Sequence, residues 1–230
     1  MTFSPPVVRC GLAPVIGAIL LLGCASAQPS TAGDSAGPAN PLSGLVSRQI
    51  LVLPTQFLAV PSASGAWDII PEAHSALPIL DEEIEEAFKR QGVRRNWTFA
   101  PEIVQSADRN GGLAGNPREL GAAGIRRIKA GDTPLPEALG SQIRKIAALT
   151  SARYVLVPLE VHVDARGGER KGSVRILLID SRTARVTWVG DVDATPSREP
   201  QIVAEALSPY GFRLLARDLA ARFAEMVVAQ

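Results

Sequence analysis

ARYVLVPLEV, residues 152–161, is the stretch that decides the fold, because it is the densest strand-forming run in the chain. A run of β-branched residues and leucines of this length predicts a buried β-strand. Pro158 cannot donate a ladder hydrogen bond, so the strand should lie at an edge or contain a bulge or a bend. Two further strands are predicted over residues 173–180 and 185–192, after short turns. The three strands together predict an antiparallel meander.

Shorter patterns upstream extend the predicted sheet. The run QILVLP (residues 49–54) predicts a buried strand that ends at proline, and weaker patterns predict strands over 56–60, 67–70 and 96–99. Between them, residues 77–91 predict a helix with one apolar stripe. Its acids lie away from this stripe, and we expect a solvated face for all five of them: Asp81, Glu82, Glu83, Glu85 and Glu86.

Two later segments also predict helices. Residues 134–149 have apolar residues at helical spacing after a proline, and Ser208-Pro209 has the form of an N-cap followed by proline at the first helical position. The sequence therefore predicts an α/β (α+β) fold. We expect a mixed sheet of about five strands, with an antiparallel carboxy-terminal meander and helices mainly on one face.

Residues 108–133 form the longest segment without a predicted element. Its glycines give no phosphate-binding motif, because no GK[ST] follows them and no strand-to-helix dinucleotide motif frames them. A surface loop is the better prediction.

The amino-terminal region ends in Leu21-Leu22-Gly23-Cys24, which matches a bacterial lipoprotein processing site. The apolar run before it is shorter than the roughly 20 residues of a spanning helix, which favours a cleaved signal peptide. Gly23 and Cys24 would flank the cleaved bond, and Cys24 would carry the acyl chains that anchor the protein to a membrane. The alternatives are ordinary secretory cleavage near residues 25–27, or a buried cysteine beside an apolar segment. Ala25 after the cysteine favours an outer-membrane destination facing the periplasm.

Composition then divides the chain into three parts. Residues 1–23 are the predicted signal peptide, residues 24–46 a lipidated cysteine with a flexible tether, and residues 47–230 a single domain. Cys10 would leave with the signal peptide, so the mature domain would have no free thiol for a disulfide or a zinc site. The chain has 24 basic and 23 acidic residues, and this balance gives no electrostatic case for nucleic-acid binding.

The sequence contains no strong catalytic motif. His74 and His162 are the two histidines, and neither occurs in a metal-binding or triad motif. Four aspartates, Asp164, Asp180, Asp191 and Asp193, would converge if the meander strands aligned, as paired carboxylates of a hydrolase do. They flank predicted turns, where aspartate is common for backbone reasons. We therefore predict no catalytic residues, no metal site and no cofactor.

Three segments carry a resemblance: residues 50–54, residues 152–157, and DSRTARVTWVG over residues 180–190. The last resembles the D-x-R-T-G-x-x-x-W-x-G hairpin of a group of envelope lipoprotein domains. The group includes curli-secretion lipoproteins, the flagellar lipoprotein FlgO, lipoprotein activators of penicillin-binding proteins and the amino-terminal domain of TolB. Ala184 replaces the usual glycine, so we expect a type I turn without positive φ.

The resemblance implies a non-catalytic adaptor for another envelope component, either a protein partner or a second copy of the chain. The sheet edge and the 108–133 segment are the expected contact regions, with Trp188, Arg182, Arg126 and Arg127 as candidate contact residues. For Trp188 we favour a structural place in the core, and partner contact is the alternative. A small-ligand or glycan binder that uses the cleft between the 108–133 segment and the meander is the second hypothesis, and a carboxylate-based hydrolase is the third.

Overall fold

A computed structural model describes residues 42, 44–62, 67–69, 75–93, 95–128 and 133–229. The predicted signal peptide, the cleavage site at Gly23 and Cys24, and His74 lie outside these described residues. Leu42 and Leu45 are buried in the core, so ordered contacts begin before the predicted domain start at residue 47.

The fold alternates short strands with helices before the long meander. The strands are β1 (Ile50–Val52), β2 (Phe57–Pro61), β3 (Trp67–Ile69), β4 (Trp97–Thr98), β5 (Thr133–Pro134), β6 (Tyr154–Asp164), β7 (Lys171–Asp180) and β8 (Arg185–Asp193). The helices are α1 (Leu77–Arg90), α2 (Ala100–Arg109), α3 (Ala122–Ile125), α4 (Glu137–Ala148), α5 (Pro200–Ala204) and α6 (Pro209–Val228).

Strand β6 is the centre of one mixed sheet. Its first half pairs in parallel with β1 and its second half in parallel with β2, while its other edge pairs with β7 along its whole length. The register shifts between Pro158 and Glu160, which is the irregularity predicted from the proline. Strands β6, β7 and β8 form the predicted antiparallel meander. The outer strands are β3 beside β2, β4 beside β1, and β5 beside β8.

The α+β class, the mixed sheet and the meander are confirmed, and two details of the prediction are wrong. The sheet has eight strands rather than about five, because three strands of two or three residues pair at its edges. Two of these, β3 and β4, lie within the weak strand patterns at 67–70 and 96–99, and β5 was not predicted. Helices pack on both faces rather than mainly on one: α1 and α6 cover one face, and α4 covers part of the other. This follows from β6 and β7, whose central residues are buried on both sides and need cover on both.

Residues 100–109 form a helix that the sequence analysis did not predict. Pro101 occupies the first turn of α2, where its missing N–H needs no helical acceptor. Ile103 of α2 is fully buried against the face that α4 covers.

Hydrogen bonds of the buried Gln56 side chain join the kink between β1 and β2 to the 108–133 segment. The Gln56 amide nitrogen donates to the carbonyl of Pro117, and its oxygen accepts from the Leu120 N–H. Leu120 is buried, as is Ile125 of α3. The prediction of a surface loop was therefore wrong for this part of the segment, because buried side chains and hydrogen bonds fix it to the sheet.

Two acids of α1 are also buried, against the predicted solvated face. Asp81 accepts from the N–H and the hydroxyl of Thr55, each at 2.8 Å, and from Arg118 at 3.1 Å. Burial raises the pKa of Asp81, although the bonds from Thr55 and Arg118 oppose this effect. Glu83 accepts from Arg213 and Arg217 and so links α1 to α6. The spacing of apolar residues along α1 does not reveal the partners of its buried acids, since these partners belong to distant segments of the chain.

Candidate functional site

The candidate site lies on the part of the sheet that α4 leaves open. Before the bulge, odd-numbered residues of β6 face α4; after it, Val161 and Val163 turn towards α1 and α6. The even-numbered residues Glu160, His162 and Asp164 therefore face the α4 side. The bulge thus places three polar side chains of β6 on one surface.

Strands β7 and β8 continue this surface in register. Arg175 lies between Glu160 of β6 and Asp191 of β8, and Ser173 lies between His162 and Asp193. The intervening β7 residues, such as Val174, pack in the core on the opposite face. Alternation along three paired strands therefore produces polar rows across the sheet.

Two adjoining hollows occupy this surface, and we call them together the meander groove. The first has a volume of about 410 Å³ and the second about 420 Å³. They share three lining residues, Trp67, His162 and Arg175. The first hollow extends towards Asp164, Lys171, Ser173, Asp191 and Asp193, and the second towards Glu160, Arg126 and Arg127.

Most charges of the meander groove are held in ion pairs. Arg126 binds Glu160 through two nitrogens, at 2.9 and 2.6 Å, and Arg175 binds Asp191 at 3.1 Å. Asp164 accepts two side-chain bonds from Arg166, both at 3.0 Å, which lower the pKa of this carboxyl. Lys171 pairs with Glu169 at 3.0 Å. Asp193 forms no ion pair with any residue that the structure describes.

Trp67 and His162 form the middle of the groove. Their rings meet edge to face, with centroids 4.6 Å apart, and Trp67 remains 42% exposed. Partial burial lowers the pKa of His162, so the imidazole is neutral at neutral pH. A neutral imidazole offers one donor and one acceptor. The pair therefore presents a partly exposed aromatic ring beside hydrogen-bonding groups.

Three of the four aspartates considered as paired carboxylates do line the groove, namely Asp164, Asp191 and Asp193. Asp180 lies at the other end of β7, next to the turn. A glycosidase-type general acid needs a carboxyl with a raised pKa. Asp164 has a lowered pKa instead, and Asp81, whose pKa is raised by burial, lies in the interior. The arrangement of these groups suits hydrogen bonding to a ligand.

Among the residues described, no group of three or more His, Cys, Asp or Glu side chains is placed to hold a metal ion. Within the same part of the chain, no helix has the length and apolar character needed to cross a bilayer.

The D-x-R-T turn after β7 has a structural explanation. Asp180 accepts from the Nε and Nη2 atoms of Arg153, at 2.9 and 2.7 Å, and from the N–H of Arg182 at 2.9 Å. Ser181 donates its hydroxyl to the carbonyls of the segment that enters β6. Asp180 thus holds both the turn and the start of the neighbouring strand.

The other motif positions also have a structural role. Ala184 has φ of +52°, so the expectation of a turn without positive φ was wrong. The tight return into β8 requires this conformation, and the Ala184 carbonyl accepts from the Leu135 N–H. A Cβ at Gly190 would collide with the indole of Trp188, which explains the glycine of the W-x-G pattern.

The role of Asp180 gives a testable stability prediction. Burial alone raises the pKa of Asp180, but the bonds from Arg153 and from the turn amides outweigh it and hold this pKa below its ordinary value. Asp180→Asn should lower the free energy of unfolding by about 1–2 kcal/mol at about pH 7. The folded-state pKa is lowered, so the stabilisation is present above the unfolded pKa and disappears as pH falls through the folded value. Urea unfolding of the parent and of Asp180→Asn, at about pH 7 and at about pH 3, measures this difference in the free energy of unfolding.

Asp193→Asn is the matched control, because Asp193 is exposed and forms no ion pair with a described residue. It should change the free energy of unfolding by less than about 0.5 kcal/mol at either pH. An equal loss in both variants would contradict the assigned role of Asp180.

The four residues named as partner contacts do not form one patch. Arg126 and Arg127 line the meander groove, whereas Arg182 is exposed at the turn after β7. Trp188 is half-buried and packs against the core on the α6 face. Sequence reasoning missed Trp67 and Arg175. The available signal was the alternation of Lys171, Ser173 and Arg175 with apolar residues, which marks a polar strand face.

Comparisons with known proteins show likeness at the level of the fold. No protein-family model and no curated protein matches the chain. Lipoprotein GNA1162 from Neisseria meningitidis is 14% identical, over 73% of this chain and 97% of that one, with a TM-score of 0.36. The carboxy-terminal domain of LpoB from Salmonella enterica is 15% identical, over 64% and 82%, with a TM-score of 0.33.

A PelC dodecamer from Paraburkholderia phytofirmans is 16% identical, over 80% of this chain and 90% of that one, with a TM-score of 0.33. The function of this chain has to come from its own residues.

Proposed function

We propose that this protein is a lipid-anchored envelope lipoprotein whose domain is a non-catalytic binding module for another envelope component. Cys24 carries the anchor in this proposal, at the periplasmic face of the outer membrane. The predicted tether would let the domain lie about 25 Å from the membrane, the reach of a flexible chain of roughly 20 small residues. The domain would meet its partner at that distance from the lipid surface.

The meander groove is the observation that carries this proposal. It is open and polar, and its carboxylates Asp164 and Asp191 accept hydrogen bonds from arginines. Open surfaces with fixed donors and acceptors recognise a partner by complementarity. Asp193 and Ser173 remain available to a ligand beside these pairs.

The outer edge of β8 supports the same proposal. Strand β5 covers it only at Arg185 and Val186, and no described strand pairs with residues 187–193 on this side. An uncovered strand edge can accept an extended segment by backbone hydrogen bonding. This edge borders the meander groove through Asp191 and Asp193, so one partner can contact the edge and the groove together.

Site-specific photo-crosslinking in the native host tests the proposal. A photo-reactive residue replaces Lys171, which is exposed in the groove, and in a control it replaces Glu225, which is exposed on α6 at the opposite face. We expect a discrete adduct with an envelope component from position 171 and none from position 225. Identical adducts from both positions, or none from either, would contradict a binding role for the groove.

A further inference from the structure

The meander groove has the features of a site for a sugar chain. We infer that it binds an uncharged glycan strand, with Trp67 as the stacking platform. This inference deepens the proposed function, on which it rests, by naming the ligand. It comes from the ring, the polar rows and the charge balance of the groove.

The Trp67 ring is exposed and lies against His162. This tryptophan is 42% exposed on a three-residue strand, and its edge-to-face contact with His162 places the ring beside β6. Ligand sites commonly combine such an apolar surface with a few placed polar groups. The apolar C–H face of a pyranose ring can cover the indole, while its hydroxyl groups reach outward.

The polar groups beside Trp67 match hydroxyl chemistry. His162, Ser173 and Asp193 follow one another across β6, β7 and β8, a span of about 10 Å at the usual strand spacing. A neutral imidazole, a hydroxyl and a carboxylate supply both donors and acceptors. Sugar hydroxyls need both kinds of partner, whereas a phosphate or an ammonium group needs only one kind.

The charge balance argues against an ionic ligand. The groove residues Asp164, Asp191, Asp193 and Glu160 carry four negative charges, and Lys171, Arg175, Arg126 and Arg127 carry four positive ones. Several of these already pair with one another, as Arg175 does with Asp191. A strongly charged ligand would have to break such pairs. An uncharged ligand can form hydrogen bonds with these groups without breaking their ion pairs.

The two hollows favour a strand over a single sugar. They meet at Trp67, His162 and Arg175, so a chain that stacks on Trp67 extends into space on both sides. Each hollow is of the order of the ligand sites found in proteins, about 300–1,000 Å³. The groove is also open to solvent along its length, which suits a polymer that enters from the side.

The test uses calorimetry with the full chain in a polyoxyethylene detergent, which contains no sugar. The uncharged probes are N-acetylated chitotetraose and cellotetraose, and the charged probes are the chitosan tetramer and tetragalacturonate. We expect at least one uncharged probe to bind, and to bind more tightly than either charged one. Trp67→Ala should weaken this binding by at least about tenfold, and Trp67→Phe should retain most of it.

Tyr210→Ala is the matched control, because Tyr210 is 62% exposed at the start of α6, which packs on the opposite face. It should leave binding unchanged. The glycan inference is overturned if no uncharged probe binds, if a charged probe binds most tightly, or if Trp67→Ala binds as the parent does. A protein adduct from position 171 with no glycan binding would overturn this inference alone, whereas a lack of both would also overturn the proposed binding role.

Discussion

Cys24→Ser should leave the precursor uncleaved, unlabelled by palmitate and absent from the mature lipoprotein fraction. The thiolate of cysteine is the nucleophile that forms the thioether to diacylglycerol, and the serine hydroxyl at this position cannot replace it. The loss should be complete, because each buried methylene of an acyl chain contributes about 0.8 kcal/mol to membrane binding and all of them would be missing. Metabolic labelling followed by membrane fractionation measures both effects.

Cys10→Ser is the control for this experiment. Cys10 is the other cysteine of the chain and would be discarded with the signal peptide. The variant should therefore be cleaved and labelled as the parent is. Normal labelling of the Cys24 variant, or loss of labelling in the Cys10 variant, would refute the assignment of the lipidated residue.

Phe88→Ala should cause the largest loss of stability among single substitutions in the domain, about 3–5 kcal/mol. Phe88 is fully buried, and its ring centroid lies 4.8 Å from that of Trp97, 5.1 Å from Phe223 and 5.9 Å from Phe99. Removing the ring leaves a cavity that three large neighbours cannot fill without moving β4 and α6. Chemical unfolding at neutral pH measures the change.

Tyr210→Ala also serves as the stability control, since this ring is exposed and its loss creates no cavity. Its free energy of unfolding should differ from that of the parent by less than about 0.5 kcal/mol. A Phe88→Ala loss below about 1 kcal/mol would show that the aromatic cluster does not hold α1, β4 and α6 together.

Regular hydrophobic patterns predicted most of the fold. The meander was predicted because β6, β7 and β8 are long, and each alternates or runs apolar for many residues. The N-cap at Ser208 was predicted because its side chain acts locally, and it accepts from the Gly211 N–H. Strands β4 and β5 have two residues each, and their pairing depends on neighbours far away in the chain.

The site was predicted less well, because it depends on how strands align. Asp191 and Asp193 were considered as a carboxylate group, but their pairing with Arg175 and Ser173 depends on the register of β7 and β8. The bulge after Pro158 decides which side of the sheet His162 faces, and a one-residue change would turn it into the opposite core. Trp67 reaches the groove only because β3 pairs beside β2.

The sequence by itself determined the strand-rich meander and the helices α1, α4 and α6, because these features depend on residues close together in the chain. It also predicts lipidation at Cys24 from a local motif. The tertiary structure alone decided that Asp81 and Glu83 are buried partners of distant arginines and that Trp67, His162 and Asp193 share one groove. Such contacts join residues up to 134 positions apart in the chain. They follow from strand register and helix packing, which no local pattern specifies.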